Sequence, residues 1–284
     1  MVETVTLNNG VQMPVSGYGT YQTQPGITEP RLEEPGRSPG ERNDRSSLQI
    51  GRFSLNKNQS TIRKELTTMK KTIFVLGAGN GCGNRVAEKF GRNDFRVVLM
   101  ARNPEHLAAY EAEFKEKGIE VYTQAADASK PHSVTKAFDE LKARFGTPDV
   151  LFYNVGITGL DTEIKGEKDV DLLVERYKVD AAGAYHAILQ VLDEEFSQKQ
   201  GTVLVTGGGL AMYPMYDYLP LSMDKAALRA MCLALHEELK KQDVFLGTVT
   251  VTGVIAPGEK CDPALLAEDF WKLYTERQDC EIVH

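Results

Sequence analysis

Apolar and polar positions follow two different patterns that meet near Met69. From Lys70 onward, short apolar runs alternate with segments of helical period. The runs are Thr72 to Leu76, Phe95 to Met100, Ile119 to Tyr122, Val150 to Tyr153, Thr202 to Val205 and Val244 to Val251. Runs this short, with little polar alternation, suit strands covered on both faces. Between them the spacing predicts a helix through Val86, Ala87 and Phe90, then helices over about Pro104 to Lys117, Pro131 to Phe145, Lys168 to Phe196, Ser222 to Lys241 and Pro263 to Glu276. Pro104 suits a first helical position and Gly118 suits a stop. A last strand is expected near Glu281 to Val283. Strict alternation of the two element types predicts a doubly wound, Rossmann-like α/β domain over residues 69–284, a parallel sheet with helices on both faces.

The earlier residues read differently. Thr23 to Thr68 is crowded with Pro, Gly, Arg, Glu, Asn and Ser and has no sustained apolar period. Such a stretch cannot bury enough surface to offset the entropy of ordering, so residues 23–68 are expected to be a disordered linker. Ahead of it, Asn9-Gly10 lies between apolar-alternating arms, Val5 to Asn8 and Val11 to Val15. Both central positions of a two-residue hairpin turn need positive φ, which this pair tolerates, so residues 1–22 are expected to hold a hairpin.

Composition narrows the function classes. An apolar share of 42% and a charged share of 26% over 284 residues fit a soluble globular chain. A net charge of −7 argues against nucleic acid, which rewards clustered Lys and Arg. No apolar run approaches the ~18 residues a membrane span needs. The N-terminus lacks a basic region followed by an apolar core, so a cytoplasmic location is expected. Cys82, Cys232, Cys261 and Cys280 form no Cys-x-x-Cys pair and lie near no histidine at ligand spacing. Four reduced thiols and no metal site are expected.

Candidate chemistry begins at Gly77-Ala78-Gly79-Asn80-Gly81-Cys82-Gly83, between the first strand of the domain and its first helix. Glycines let the backbone approach a pyrophosphate closely, and the helix start offers unbonded N–H groups to anionic oxygens. At the end of the second strand, Ala101-Arg102-Asn103 offers no carboxylate for a ribose 2′-hydroxyl. Arg102 could pair with a 2′-phosphate, so NADPH is favoured over NADH.

The spacing Gly77-x-x-x-Gly81-x-Gly83 resembles that of short-chain dehydrogenase/reductases. Further matches follow in order: Asp127, Asn154-Val155-Gly156, Val179 to Gly183, the Ser222 to Leu228 segment with Lys225, and Pro257-Gly258. The resemblance covers about residues 70–284. It implies a hydride-transferring oxidoreductase acting on a small carbonyl or alcohol. It also implies a cofactor site drawn from Gly77, Asn80, Gly81, Cys82, Gly83, Arg102, Asp127, Asn154, Gly156 and Lys225. A homo-oligomer through the helices around 168–196 and 222–241 is expected on the same ground.

The family's chemistry uses a tyrosine four residues before the lysine, a serine thirteen residues before that tyrosine, and an asparagine in the fourth helix. The corresponding residues here are Leu221, Gly208 and Asp180. A phenol of ordinary pKa near ~10 needs a nearby cation to work near neutrality. Tyr213, Tyr216 and Tyr218 cluster ahead of Lys225, and Tyr218 is the nearest substitute acid. Pro220 is expected to turn the chain so that the Tyr218 hydroxyl enters the cleft. Two readings stay open, an oxidoreductase with an atypical site and a cofactor-binding sensor or interaction subunit without turnover. A separate stretch, Val5 to Tyr21, resembles the opening of an aldo-keto reductase. The rest of that (β/α)₈ barrel, ~250 residues, has no counterpart here, so none of its catalytic residues carries over.

Overall fold

The computed structural model describes residues 70–158 and 169–284, together with strands β1 (Thr4–Thr6) and β2 (Gln12–Pro14). The chain divides into two units, Met1–Gln49 and Ile50–His284. In the first, β1 and β2 pair antiparallel with Thr4 opposite Pro14 and Thr6 opposite Gln12. The Asn9-Gly10 turn and the expected linker over 23–68 lie outside the described residues.

In the second unit the runs form strands β3 (Thr72–Leu76), β4 (Arg96–Ala101), β5 (Val121–Ala125), β6 (Val150–Tyr153), β7 (Thr202–Gly208), β8 (Phe245–Val251) and β9 (Glu281–Val283). They make one parallel sheet in the order β5-β4-β3-β6-β7-β8-β9. The order reverses direction between β3 and β6, the place where a doubly wound sheet forms its crevice beyond the strand ends.

Helices α1 (Cys82–Arg92), α2 (Pro104–Glu116), α3 (Pro131–Phe145), α4 (Asp169–Tyr177), α5 (Gly183–Val191), α6 (Glu194–Gln198), α7 (Leu219–Lys240) and α8 (Pro263–Glu276) connect the strands. Successive strand residues point to opposite faces. Ile73 and Val75 therefore join one core layer with α1, α2 and α8, while Phe74 and Leu76 join the other with α3, α5, α6 and α7. Both layers are needed because all five residues of β3 are buried. Phe90 is fully buried in an edge-to-face cluster with Phe95, Trp271 and Tyr274, which locks α1 onto α8. Truncating a phenylalanine so buried to alanine costs about 3–5 kcal/mol.

Several expected boundaries change; for example, β7 runs on to Gly208 rather than ending at Val205. The long helix over 168–196 is not continuous: α4 passes into a π turn, Lys178–Ala182, then α5, and the chain breaks at Leu192 before α6. Its expected first residue, Lys168, lies outside the described residues. Asp193 makes the break. Its carboxylate accepts from Phe196 N at 2.8 Å, capping α6, and from Lys142 Nζ and Thr147 Oγ1 at 2.7 Å each. The apolar period runs through the break, which hides it, but Asp193 followed by Glu194 and Glu195 has the composition of a helix start. The third strand of the domain begins two residues late, at Val121, because Ile119 N donates to Phe114 O and finishes the turn after α2. Helix α7 starts at Leu219 rather than Ser222 and takes Pro220 into its first turn, where a missing N–H costs nothing.

Among the described residues no helix is long and apolar enough to cross a membrane, and no His, Cys, Asp or Glu group is arranged to hold a metal ion. Burial would raise the Asp193 carboxyl, but the bonds from Lys142, Phe196 N–H and Thr147 outweigh it and hold it below the usual range. A depressed carboxyl contributes stability that is present at neutral pH and is lost as pH falls through its folded value. Asp193→Ala is expected to lower stability at pH 7 by about 1–2 kcal/mol in urea denaturation. The gap from the wild type is expected to close as pH drops below about 4.

Candidate functional site

The turn between β3 and α1 lies at the crevice. Gly77 adopts φ of 102°, a conformation side chains rarely take. A Cβ there would meet the backbone of Asn154 at 2.6 Å. Gly77 N and Ala78 N both donate to Met100 O, at 2.9 and 3.0 Å, which ties the turn to β4. Gly83 is as confined, since its Cβ would come within 2.5 Å of Gly77 O. Gly79 and Gly81 differ: a Cβ on either meets no heavy atom within 4 Å. The loop is thus packed on one side and open on the other.

The open side carries donors. Among the described residues, nothing accepts from the N–H groups of Gly81, Cys82 and Gly83. Gly81 caps α1 without a side-chain bond, and the first turn holds no acidic residue. An uncapped helix start of this kind favours an anion. The Cys82 thiol faces inward, bonded to Thr206, and burial pushes it up to about 12, so only its backbone faces the open side. Asn80 is exposed. Asn84, which the sequence reading missed, holds the loop from below. Its Oδ1 accepts from Gly79 N at 3.0 Å, and its buried Nδ2 has no hydrogen-bond partner.

Asn154 follows β6, across the crevice. Its Nδ2 donates to Gly77 O at 3.0 Å and its Oδ1 accepts from Thr206 Oγ1 at 2.8 Å. One amide therefore joins the ends of β3, β6 and β7. Lys225, on α7, reaches the same place and donates to Thr206 O at 3.3 Å. Its stem crosses Gly208, where a Cβ would sit 3.2 Å from Lys225 Cγ. The ammonium lies 3.5 Å from Asp180 Oδ1, and the pair is nearly sealed from solvent, with side-chain exposures of 8% and 0%. Asp180 Oδ2 accepts from Ile157 N at 3.0 Å. Burial raises the Asp180 carboxyl above its usual range despite Lys225, the Ile157 N–H and Arg176, which pull it down.

Gly77, Cys82, Gly83, Asn154, Gly156 and Lys225 thus come together. Arg102 and Asp127 stand further along the same edge, after β4 and β5. Arg102 is exposed and makes no ion pair among the described residues, while Asn103 beside it caps α2 through Glu105 N at 2.8 Å. Asp127 is already engaged, accepting from Ser129 N at 3.1 Å and Ser129 Oγ at 2.7 Å and pairing with Lys130 at 3.2 Å. Burial raises its carboxyl, but the Ser129 and Lys130 bonds outweigh that and keep it low.

The expected turn at Pro220 is corrected, since Pro220 lies inside α7. Leu221 is buried one helical turn ahead of Lys225. Tyr218 flanks the helix start, half-buried, and its hydroxyl has no partner among the described residues. It lies seven residues before Lys225, outside the helix, with non-helical φ of −125° and ψ of 33°. Ser222 is occupied, donating from Oγ to Tyr218 O at 2.8 Å. Tyr213 and Tyr216 are exposed.

A model of the short chain dehydrogenase family matches residues 71–260. The chain belongs to this family. A diacetyl reductase [(S)-acetoin forming] from Staphylococcus epidermidis is 25% identical over 178 residues, covering 62% of this chain and 68% of its own. An oxidoreductase from Staphylococcus saprophyticus is 26% identical over 208 residues, 70% of this chain and 88% of its own. Among solved structures, an alcohol dehydrogenase from Thermococcus sibiricus complexed with 5-hydroxy-NADP superposes with a TM-score of 0.66 at 23% identity, over 75% of this chain and 95% of that one. A metagenomic short-chain oxidoreductase in complex with NADP gives 0.65 at 23% identity, over 75% and 96%. The superpositions establish the fold, and the family makes the protein an oxidoreductase type. The aldo-keto reductase likeness of the first residues lies outside the family match, which starts at residue 71.

The confined and open glycines make separable demands. Gly77→Ala is expected to destabilise the protein by about 2 kcal/mol or more in denaturation without added ligand, since the Cβ meets backbone and φ is positive. Gly79→Ala, where a Cβ meets no heavy atom within 4 Å and φ is not positive, is expected to stay within about 1 kcal/mol of the wild type in the same measurement.

Proposed function

We propose that this short-chain dehydrogenase is an NADP(H)-dependent oxidoreductase acting on the carbonyl or alcohol group of a small molecule. One observation carries the reading: the open, donor-rich side of the glycine turn sits at the strand-order reversal, beside the Asn154–Thr206–Lys225 cluster. The residues present fit a dinucleotide. Gly79 and Gly81 leave room for a pyrophosphate, and the N–H groups of Gly81, Cys82 and Gly83 face it. Exposed Arg102, with no carboxylate at the end of β4, supports the phosphorylated cofactor, as do solved relatives bound to NADP. Asn80, Asp127 and Gly156 complete the proposed cofactor contacts.

The cofactor, when bound, would supply the hydride for the carbonyl carbon. The chain's own part is to hold the ribose through Lys225, keep the crevice shaped through Asn154, and deliver a proton to the carbonyl oxygen. Tyr218 is the proposed donor, as the phenol closest before Lys225 in sequence and half-buried at the helix start. A second reading, a cofactor-binding sensor or interaction subunit without turnover, is favoured by buried Leu221 one turn from Lys225 and by the Lys225–Asp180 pair. We also propose a cytoplasmic homo-oligomer. Exposed Val170, Val174 and Tyr177 on α4, Leu189 on α5, and Met223 and Leu233 on α7 support assembly through those helices. Residues 1–22 and 23–68 are proposed as separate pieces that supply no site residue.

Fluorescence titration and a carbonyl panel test the reading. NADPH is expected to bind more tightly than NADH. Arg102→Ala should weaken NADPH about tenfold, the loss of one charge-assisted contact, and leave NADH unchanged. Turnover should vanish in both Tyr218→Phe and Lys225→Ala. Tight binding without turnover on any substrate favours the second reading, and no binding of either nucleotide removes both.

A further inference from the structure

We propose that Asp180 is a positioning residue that competes with the cofactor for the Lys225 ammonium, so that one buried carboxyl makes cofactor affinity depend on pH. This rests on the proposed nucleotide site and adds a control to it.

The geometry is specific. Asp180 lies in the π turn Lys178–Ala182, a widening often found where a helix serves a site. Tyr153 donates its hydroxyl to Val179 O within that turn, which fixes the local path of the chain. The carboxylate is fully buried. One oxygen is satisfied by Ile157 N–H at 3.0 Å, while the other has no hydrogen bond and faces the ammonium at 3.5 Å. Gly156 closes the gap between them: a Cβ there would stand 3.0 Å from Asp180 Oδ1 and 3.3 Å from Lys225 Nζ. Since Gly156 is itself exposed, the pair lies just beneath the surface of the crevice.

Among the described residues, the groups facing Asp180 act in one direction or the other. Lys225 on α7, Ile157 N–H after β6 and Arg176 on α4 favour the carboxylate, whereas burial opposes it and prevails, so the carboxyl is raised. Tyr153 on β6 faces it as a neutral phenol, its own ionisation opposed by burial and by Asp180. Removing an ion from water is costly, and a buried pair repays the cost only with good geometry and full hydrogen bonding. Here the distance is long and one oxygen is left over. Ribose hydroxyls arriving at Lys225 would have to draw the ammonium away from an ionised Asp180, but not from a protonated one.

The sign follows from linkage. As pH falls through the range in which the raised carboxyl takes up its proton, the ammonium loses its competitor, and cofactor binding tightens. At high pH the carboxylate holds Lys225 and binding weakens.

The test is the dissociation constant of NADPH at pH 5.5, 7 and 8 for the wild type, Asp180→Asn and Lys225→Met. Asparagine keeps the acceptor for Ile157 N–H and removes the charge at every pH. The 2′-phosphate titrates equally in all three proteins, so the difference between them is the readout. The wild type should tighten at least about threefold more than Asp180→Asn as pH falls, and Asp180→Asn should bind more tightly than the wild type at pH 8. Lys225→Met should lack the extra step too, which keeps the test available should Asp180→Asn fail to fold. Equal pH slopes in the wild type and either variant would overturn the proposal while leaving the nucleotide site intact. No NADPH binding by the wild type at any pH would instead remove the nucleotide site on which the proposal rests.

Discussion

The close approach of Gly77 to Asn154 is the contact on which the rest of the site depends. Two parallel strands, β3 and β6, deliver their chains to the same edge of the sheet, and the strand order reverses between them. No side chain can stand at Gly77, because the Asn154 backbone already occupies the space. With the chains this close, one amide can bond Gly77 O on one side and Thr206 Oγ1 on the other. That bridge fixes the glycine turn relative to β7. Through Thr206 it also fixes the place to which Lys225 extends. An opening between the chains at this point would displace the donor-lined face of the turn and the ammonium together.

The sheet and most helices were readable in the sequence because burial on both faces writes strands as unbroken apolar runs. β3 is the clearest case, with no exposed residue. Pro104 and Gly118 bracket α2 as their chemistry requires: the proline falls in its first turn, and Gly118 takes positive φ after it. Boundaries set by tertiary contacts were not readable. Nothing in the apolar period marks the break at Asp193, which depends on Lys142 and Thr147 arriving from elsewhere in the chain. The proline of Leu219-Pro220 suggested a turn, yet the same residue serves equally well in the first turn of a helix.

The site divides in the same way. Its glycine turn was visible because it needs a local pattern, strand then glycines then helix. Its support was not visible. Asn84 looks like an ordinary polar residue of α1, and only its burial beneath Gly79 gives it a role. The Lys225–Asp180 pair is likewise a product of folding, since the π turn and the α7 register bring the two charges together from distant parts of the chain.

The residues around Lys225 form one consistent arrangement. A serine at Gly208 would bring its Cβ against the Lys225 stem, at a distance the present path of the lysine does not accommodate without shifting. A carboxylate at position 180 can hold the ammonium directly, where an amide could only accept a hydrogen bond from it. An ammonium facing a carboxylate also projects less positive potential on its surroundings, and so would lower a neighbouring phenol's pKa less. Leu221, buried one turn away, asks for no such potential. Glycine at 208, leucine at 221 and aspartate at 180 are therefore mutually compatible around one lysine. The donor-lined face of the glycine turn is joined to this arrangement through Asn154, which donates to Gly77 O, and through Thr206, whose carbonyl accepts from the same lysine.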